Sequence, residues 1–233
     1  MKKKLLLTLL SGSFLISNSY GIAKWGIDLT NKRFNTDFGV KAGGNFQQIN
    51  AYPFTPAFNP GYIAGAYIEH RWNVLGLKLE ATVSSAKYVT EFAAARKYYV
   101  LDKVTTTDTV SKADLSTMSI NIPLMGEIRA SERFTFLLGA QYSMVLSVKD
   151  NNGAYTKIHK PEDVFKKTSF AAITGFEVGF AKKFRFGATY TMGVSDINNS
   201  QIKGIDGKWI TTGAQAYLTY RIRRWSKHPM PGL

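Results

Sequence analysis

The chain contains no cysteine. Disulfides, thiolate metal sites and a lipid-anchored cysteine are thereby excluded. Nor does it hold a hydrophobic run long enough for a membrane helix. Such a helix needs about 20 apolar residues, and the greasiest stretch, Leu5 to Ile16, is shorter. Any membrane contact must therefore be made by strands. Acidic residues are the minority, 16 against 30 lysines and arginines. That surplus would suit nucleic acid if it were gathered in a patch, but the basic residues are dispersed, so no nucleic-acid partner is expected.

Residues 1–21 read as an export signal. Lys2, Lys3 and Lys4 form a positive n-region, Leu5 to Ile16 an apolar core, and Ser17 to Gly21 a polar c-region with small residues. Cleavage is expected after Gly21 or Ala23. An uncleaved anchor helix is the alternative, and the short core argues against it. The rest divides into a mature N-terminal extension (22–36), one barrel domain (37–225) and a short periplasmic tail (226–233). Mean hydropathy is slightly negative. That argues against a helical membrane protein but not against a β-barrel, whose wall is apolar on one side only.

The most regular stretch runs from Phe134 to Leu146. Phe134, Phe136, Leu138, Ala140, Tyr142, Met144 and Leu146 share one parity, with Thr135, Gly139, Gln141 and Ser143 on the other. Successive side chains of a strand point to opposite faces, so this segment has one greasy and one polar face. About eight such strands can be read: Asp37–Gln47, Gly61–Trp72, Leu75 to about Val89, Leu115–Arg129, Phe134–Leu146, Thr168–Phe180, Phe184–Val194 and Lys208–Arg223. Tight turns near Asn73, Ser131–Glu132 and Lys182–Lys183 alternate with long connections at 48–60, 90–114, 148–167 and 196–207. Short turns on one side and long loops on the other typify outer-membrane barrels.

A soluble up-and-down barrel, such as a lipocalin, alternates too. It would place apolar side chains inside and charges outside. Three features favour the membrane. The middles of the apolar faces carry no ionisable residue apart from His70 near a strand end, as expected where a midplane Lys or Arg costs about 2–4 kcal/mol. The polar faces are rich in glycine, as a narrow interior requires. Trp72, Phe134, Phe136, Phe180, Phe184, Phe186 and Tyr220 gather near the short-turn ends like an interfacial girdle. The fold expected is all-β: an eight-stranded antiparallel up-and-down transmembrane barrel of outer-membrane type.

Four segments also carry a resemblance. Phe38-Gly39-Val40-Lys41-Ala42-Gly43-Gly44-Asn45-Phe46 resembles the first strand of the PorT-like outer-membrane β-barrel family, and Leu79-Glu80 its Glu-bearing third strand. Ile120-Asn121-Ile122-Pro123-Leu124 is similar to its "IPL" strand, and Thr174-Gly175-Phe176-Glu177-Val178-Gly179 to its glycine-rich sixth strand. The resemblance implies an integral barrel in the outer membrane of a Gram-negative envelope. It also implies a possible tie to protein secretion, after which the family is named.

The polar faces carry Glu69, Glu80, Glu127 and Glu177 beside Lys41, Arg71, Lys78, Arg129, Arg185 and Arg221. An eight-stranded barrel has room only for side chains inside, so these should pair across the interior as a plug. An ion path or proton-linked gate is the sharper alternative. Arg96, Lys97, Tyr98 and Tyr99 form a candidate outer-loop surface for lipopolysaccharide phosphates or a protein partner. Of the three histidines only His159, near Glu162 and Asp163, falls in an outer loop, where a lipid-modifying enzyme would need it. Asp150-Asn151-Asn152-Gly153 lacks the spaced ligands of a calcium loop and reads as a turn. No catalytic residue, metal or cofactor is expected. The function expected is a scaffold, or a docking surface for ligands or envelope proteins through the outer loops, set among outer-membrane lipids and lipopolysaccharide. The alternatives are an accessory of an envelope secretion or transport complex and a lipid-modifying enzyme.

Overall fold

Apolar residues at every second position cannot share one face of a helix, whose period is 3.6, but they line one face of a strand. The computed structural model describes residues 34–51, 54–96, 99–100, 110–151, 164–199, 202–203 and 207–226, and its regular elements are strands. In chain order they are β1 (Phe34–Asn50), β2 (Asn59–Trp72), β3 (Leu75–Arg96), β4 (Tyr99–Val100), β5 (Val110–Arg129), β6 (Phe134–Asp150), β7 (Thr168–Gly179), β8 (Phe184–Gly193), β9 (Ile202–Lys203) and β10 (Ile210–Ser226). Eight close into an antiparallel barrel in the ring order β1-β10-β8-β7-β6-β5-β3-β2. The pairing of β1 with β10 seals it, so no edge is left for lipid to meet. Strands β4 and β9 form a separate ladder of two residue pairs.

The turns at 73–74, 130–133 and 180–183 lie at the same end as the start of β1 and the finish of β10. Asn73 takes a left-handed conformation (φ 51°) to make the tightest of them. The other end carries the long connections. There the strands outlast the expected bounds. Strand β3 runs to Arg96 and β5 starts at Val110, so Thr90 pairs with Ala113 and Glu91 with Lys112: the connection 90–114 carries on the flanking strands, as the alternation in Tyr98 to Val110 leads one to expect of a protruding hairpin.

The two faces of the wall settle which solvent it meets. Leu138 is 68 % exposed and Phe170 58 %, while Lys78, Glu69 and Glu177 are each at 0 %. A soluble barrel has the reverse arrangement, so the lipocalin-like alternative is excluded. The girdle is present: Trp72, Phe136, Phe180, Phe184 and Phe186 are exposed near the short turns, and Phe134 stacks on Phe176 with ring centroids 5.7 Å apart.

Pro123 stands inside β5, where it has no N–H to donate. The β3–β5 ladder is interrupted there, with Leu79 opposite Leu124 and the next pair only at Thr82 and Asn121. Glu80, on the facing strand, falls in that gap and points inward.

Candidate functional site

The parity that turns Leu77 and Leu79 to lipid turns Lys78 and Glu80 to the centre. Lys78 pairs with both Glu177 and Glu80, the latter at 3.2 Å, and Lys41 reaches Glu80 at 2.8 Å. Arg185 Nη1 donates to Glu69 at 2.7 Å and to Glu177 at 3.1 Å. Arg71 pairs with Glu69 and donates its Nε to Glu127 at 3.2 Å. These groups come from β1, β2, β3, β5, β7 and β8, so the pairs tie opposite walls together.

Two tyrosines complete the layer. The Lys41 ammonium lies 3.6 Å from the centre of the Tyr217 ring, and Lys78 4.6 Å from that of Tyr67. Each ring lies across a glycine on the neighbouring strand, Tyr67 opposite Gly39 and Tyr217 opposite Gly187. A Cβ on Gly187 would sit 2.4 Å from the Tyr217 ring, so only glycine admits it. Met125, Leu137 and Ile173 fill the β5–β7 side with an apolar cluster.

Above the charges the interior turns neutral. Gln47, Asn121, Gln141, Ser143 and Thr191 are among the residues lining a cavity of about 50 Å³, room for a few waters. Asn121 donates to Ser84 at 2.8 Å and Gln141 to Ser143 at 3.0 Å.

The outer mouth above this chamber is closed by apolar side chains. Ile49, Phe54, Tyr88, Leu115, Phe165 and Trp209 are all buried, in one cluster with Val164 and Ile197. Phe54 and Phe165 pack edge-on against Trp209, with ring centroids 4.8 and 5.9 Å away. The connections that supply them are laced by backbone. The Lys166 N–H donates to the Ile197 carbonyl at 2.8 Å, and the Ile197 N–H to the Trp209 carbonyl at 3.0 Å. Asp196 accepts the N–H groups of Asn198 and Trp209 at 2.9 and 2.8 Å, and pairs with Lys166 at 3.2 Å.

The barrel thus has a closed eight-stranded wall with outward apolar side chains and charges inside. The family profile described as outer membrane protein beta-barrel domain matches residues 28–199, most of that wall. The chain belongs to this family. No curated protein sequence matches it. Among solved structures, the barrel is similar to Neisserial surface protein A at 14 % identity and a TM-score of 0.46, covering 81 % of this chain and 99 % of that one. It is similar to Ail, the attachment invasion locus protein of Yersinia pestis, at 14 % identity and 0.40, covering 81 % and 98 %. OprG from Pseudomonas aeruginosa follows at 10 % identity and 0.36, covering 84 % and 96 %.

For this outer-membrane barrel, nine of the ten interior charges named from sequence make ion pairs. Arg129 is the exception, its side chain making no ion pair or hydrogen bond among the described residues. The structure adds two that alternation missed, Asp37 and Arg224. Asp37 is 1 % exposed and accepts two bonds from Arg224, at 2.8 and 2.9 Å, with Arg221 at 3.3 Å. Asp37 shares the parity of Lys41, which was the available signal. Glu69, Glu127 and Glu177 bring carboxylate oxygens within 4.8 Å of one another, a spacing a cation could use. Each is paired with Arg71, Lys78 or Arg185 instead, so basic side chains occupy that place.

Of the outer-loop candidates, Lys97 and Tyr98 lie outside the described residues. The backbone places Arg96 opposite Val110 and Tyr99 opposite Lys203. His159, Glu162 and Asp163 also lie outside, as do residues 1–33 and 227–233. His70 sits at the girdle, hydrogen-bonded to Thr36 at 2.8 Å and against Trp72.

Proposed function

We propose that this outer-membrane barrel acts as a non-conducting scaffold that presents its outer connections as a docking surface. The observation that carries the reading is the double closure of the interior. Paired charges from six strands fill the lower half, and the cluster around Trp209 covers the chamber above. Among the described residues no water-filled route is open to a solute, and the interior of an eight-stranded barrel has little room beyond its own side chains. What remains free to meet a partner is the outer rim, where β3 and β5 continue past the wall and β4 pairs with β9. Loops on a rigid scaffold are where binding residues concentrate.

The kinship with PorT-like barrels belongs to the same proposal and rests on Phe38–Phe46, Leu79-Glu80, Ile120–Leu124 and Thr174–Gly179. That the barrel is no enzyme is also part of this proposal, and it rests on the sequence, where His159 is the one histidine of an outer connection and no triad is spaced around it. Planar-bilayer recordings test the closure, with no large, steady conductance expected. A stable porin-like current would overturn the scaffold reading. Replacing residues 90–114 by a tight turn tests the docking surface: the barrel should still assemble while its cellular phenotype is lost. A shortened barrel with a wild-type phenotype would remove this rim from the proposal.

A further inference from the structure

The short-turn mouth of the barrel is charged but not balanced. With Asp37 and Arg224 added to the ten interior charges, seven cations face five carboxylates. The surplus is not spread evenly. Lys41, Lys78 and Arg185 are saturated by Glu80, Glu177 and Glu69 in the middle of the barrel. The unpaired donors lie at the mouth. Arg71 is 8 % exposed and spends its Nε on Glu127, while its Nη2 is buried with no hydrogen-bond partner. Arg129, on the same strand as Glu127 and one inward position nearer the mouth, is half-buried, and its side chain has no ion pair or hydrogen bond among the described residues. Across the barrel Arg221 and Arg224 share a single carboxylate, Asp37. Thr135, opposite Arg129 on the neighbouring strand, offers it no carboxylate.

A buried guanidinium nitrogen with nothing to donate to is costly, and Arg71 Nη2 is one; the half-buried Arg129 adds a second cation to the same mouth. Planar guanidinium forks match oxyanions, and a phosphate monoester bears close to two negative charges at neutral pH, equal to the surplus. We propose that the mouth on the short-turn side is a binding site for a phosphate group, as the free anion or as a monoester, held by Arg71 and Arg129. The group can come as free phosphate or on a lipid such as phosphatidic acid; both present the same oxygens to the same forks.

Isothermal titration of the protein folded in a phosphate-free detergent at low salt tests this. Inorganic phosphate should bind saturably with one site per barrel. Arg129→Gln should weaken binding by about tenfold or more, the scale of one lost charge-assisted hydrogen bond. This variant should fold, because Arg129 has no protein partner to strand. Arg223→Gln is the control, since Arg223 is exposed on the outer face, stacked over Trp225. It should bind as the wild type does. A short-chain phosphatidic acid that competes with phosphate extends the site to lipid, and failure to compete restricts it to the free anion. The proposal is overturned by an unsaturable response, by Arg129→Gln binding unchanged, or by equal losses in Arg129→Gln and Arg223→Gln.

Discussion

Arg224 reaches Asp37 because β10 slips by one residue against β1. Phe38 faces Arg223, but Gly39 faces Arg221, so the pairing skips Ile222. The extra residue is a β-bulge, and it reverses parity beyond it. Without it Arg224 would point to lipid, where a cation is costly. With it, both Arg221 and Arg224 face the one buried carboxylate of β1.

Asp37→Ala should therefore leave two guanidiniums without their anion. Breaking a buried pair costs about 3–5 kcal/mol, and the partial exposure of both arginines places this case at the lower end. Urea unfolding of the detergent-folded barrel, followed by the gel shift between folded and heated forms, reads the loss. Stability within about 0.5 kcal/mol of wild type would show that the bulge serves no ion pair.

Glu177 and Glu127 separate two degrees of dependence. Glu177 pairs with Lys78 and Arg185 and accepts the Tyr217 hydroxyl at 3.2 Å, whereas Glu127 holds Arg71 alone. Glu177→Ala should destabilise the barrel clearly more than Glu127→Ala in the same urea titration. Equal losses, or the reverse order, would mean that the pairs do not carry the plug.

The wall was legible because lipid imposes strict alternation on every strand it touches. Phe134 to Leu138 and Phe184 to Ala188 show it, and the inward placement of Lys41, Glu80 and Glu177 follows from the same parity. Arg224 was not legible, because a bulge leaves no mark in a pattern of period two. The lid was missed for a different reason. Phe54, Phe165 and Trp209 stand in or next to irregular connections, where spacing says nothing about direction, and their burial depends on three loops meeting. Arg129 was read as one more plug residue. Parity gives the face, not the partner.

Gly187→Ala should be destabilising by more than an exposed strand substitution. The added Cβ would meet the Tyr217 ring at 2.4 Å, and the ring is pinned by Glu177 and by Lys41 above it. Overpacking of this kind costs about 1–3 kcal/mol. On a Tyr217→Ala background the same substitution should cost almost nothing, giving a coupling energy of similar size in a double-mutant cycle. Additive losses would show that the ring does not need the glycine.

The lid should loosen in acid through Asp196. Its partial burial alone would raise the carboxyl pKa, but the N–H groups of Asn198 and Trp209 and the Lys166 ammonium outweigh that and hold it below the usual aspartate value. A carboxyl depressed in the folded state adds stability that is present above its unfolded pKa of about 4 and is lost as pH falls through the folded value. In a variant with Trp25, Trp72 and Trp225 changed to Phe, only Trp209 fluoresces. Acrylamide should quench it weakly at neutral pH, where it is fully buried, and more strongly below about pH 4. Asp196→Asn in the same background should flatten this dependence, since no charge remains to be removed. Identical pH profiles for the two proteins would assign any acid opening to another group and leave Asp196 without a role in holding the lid.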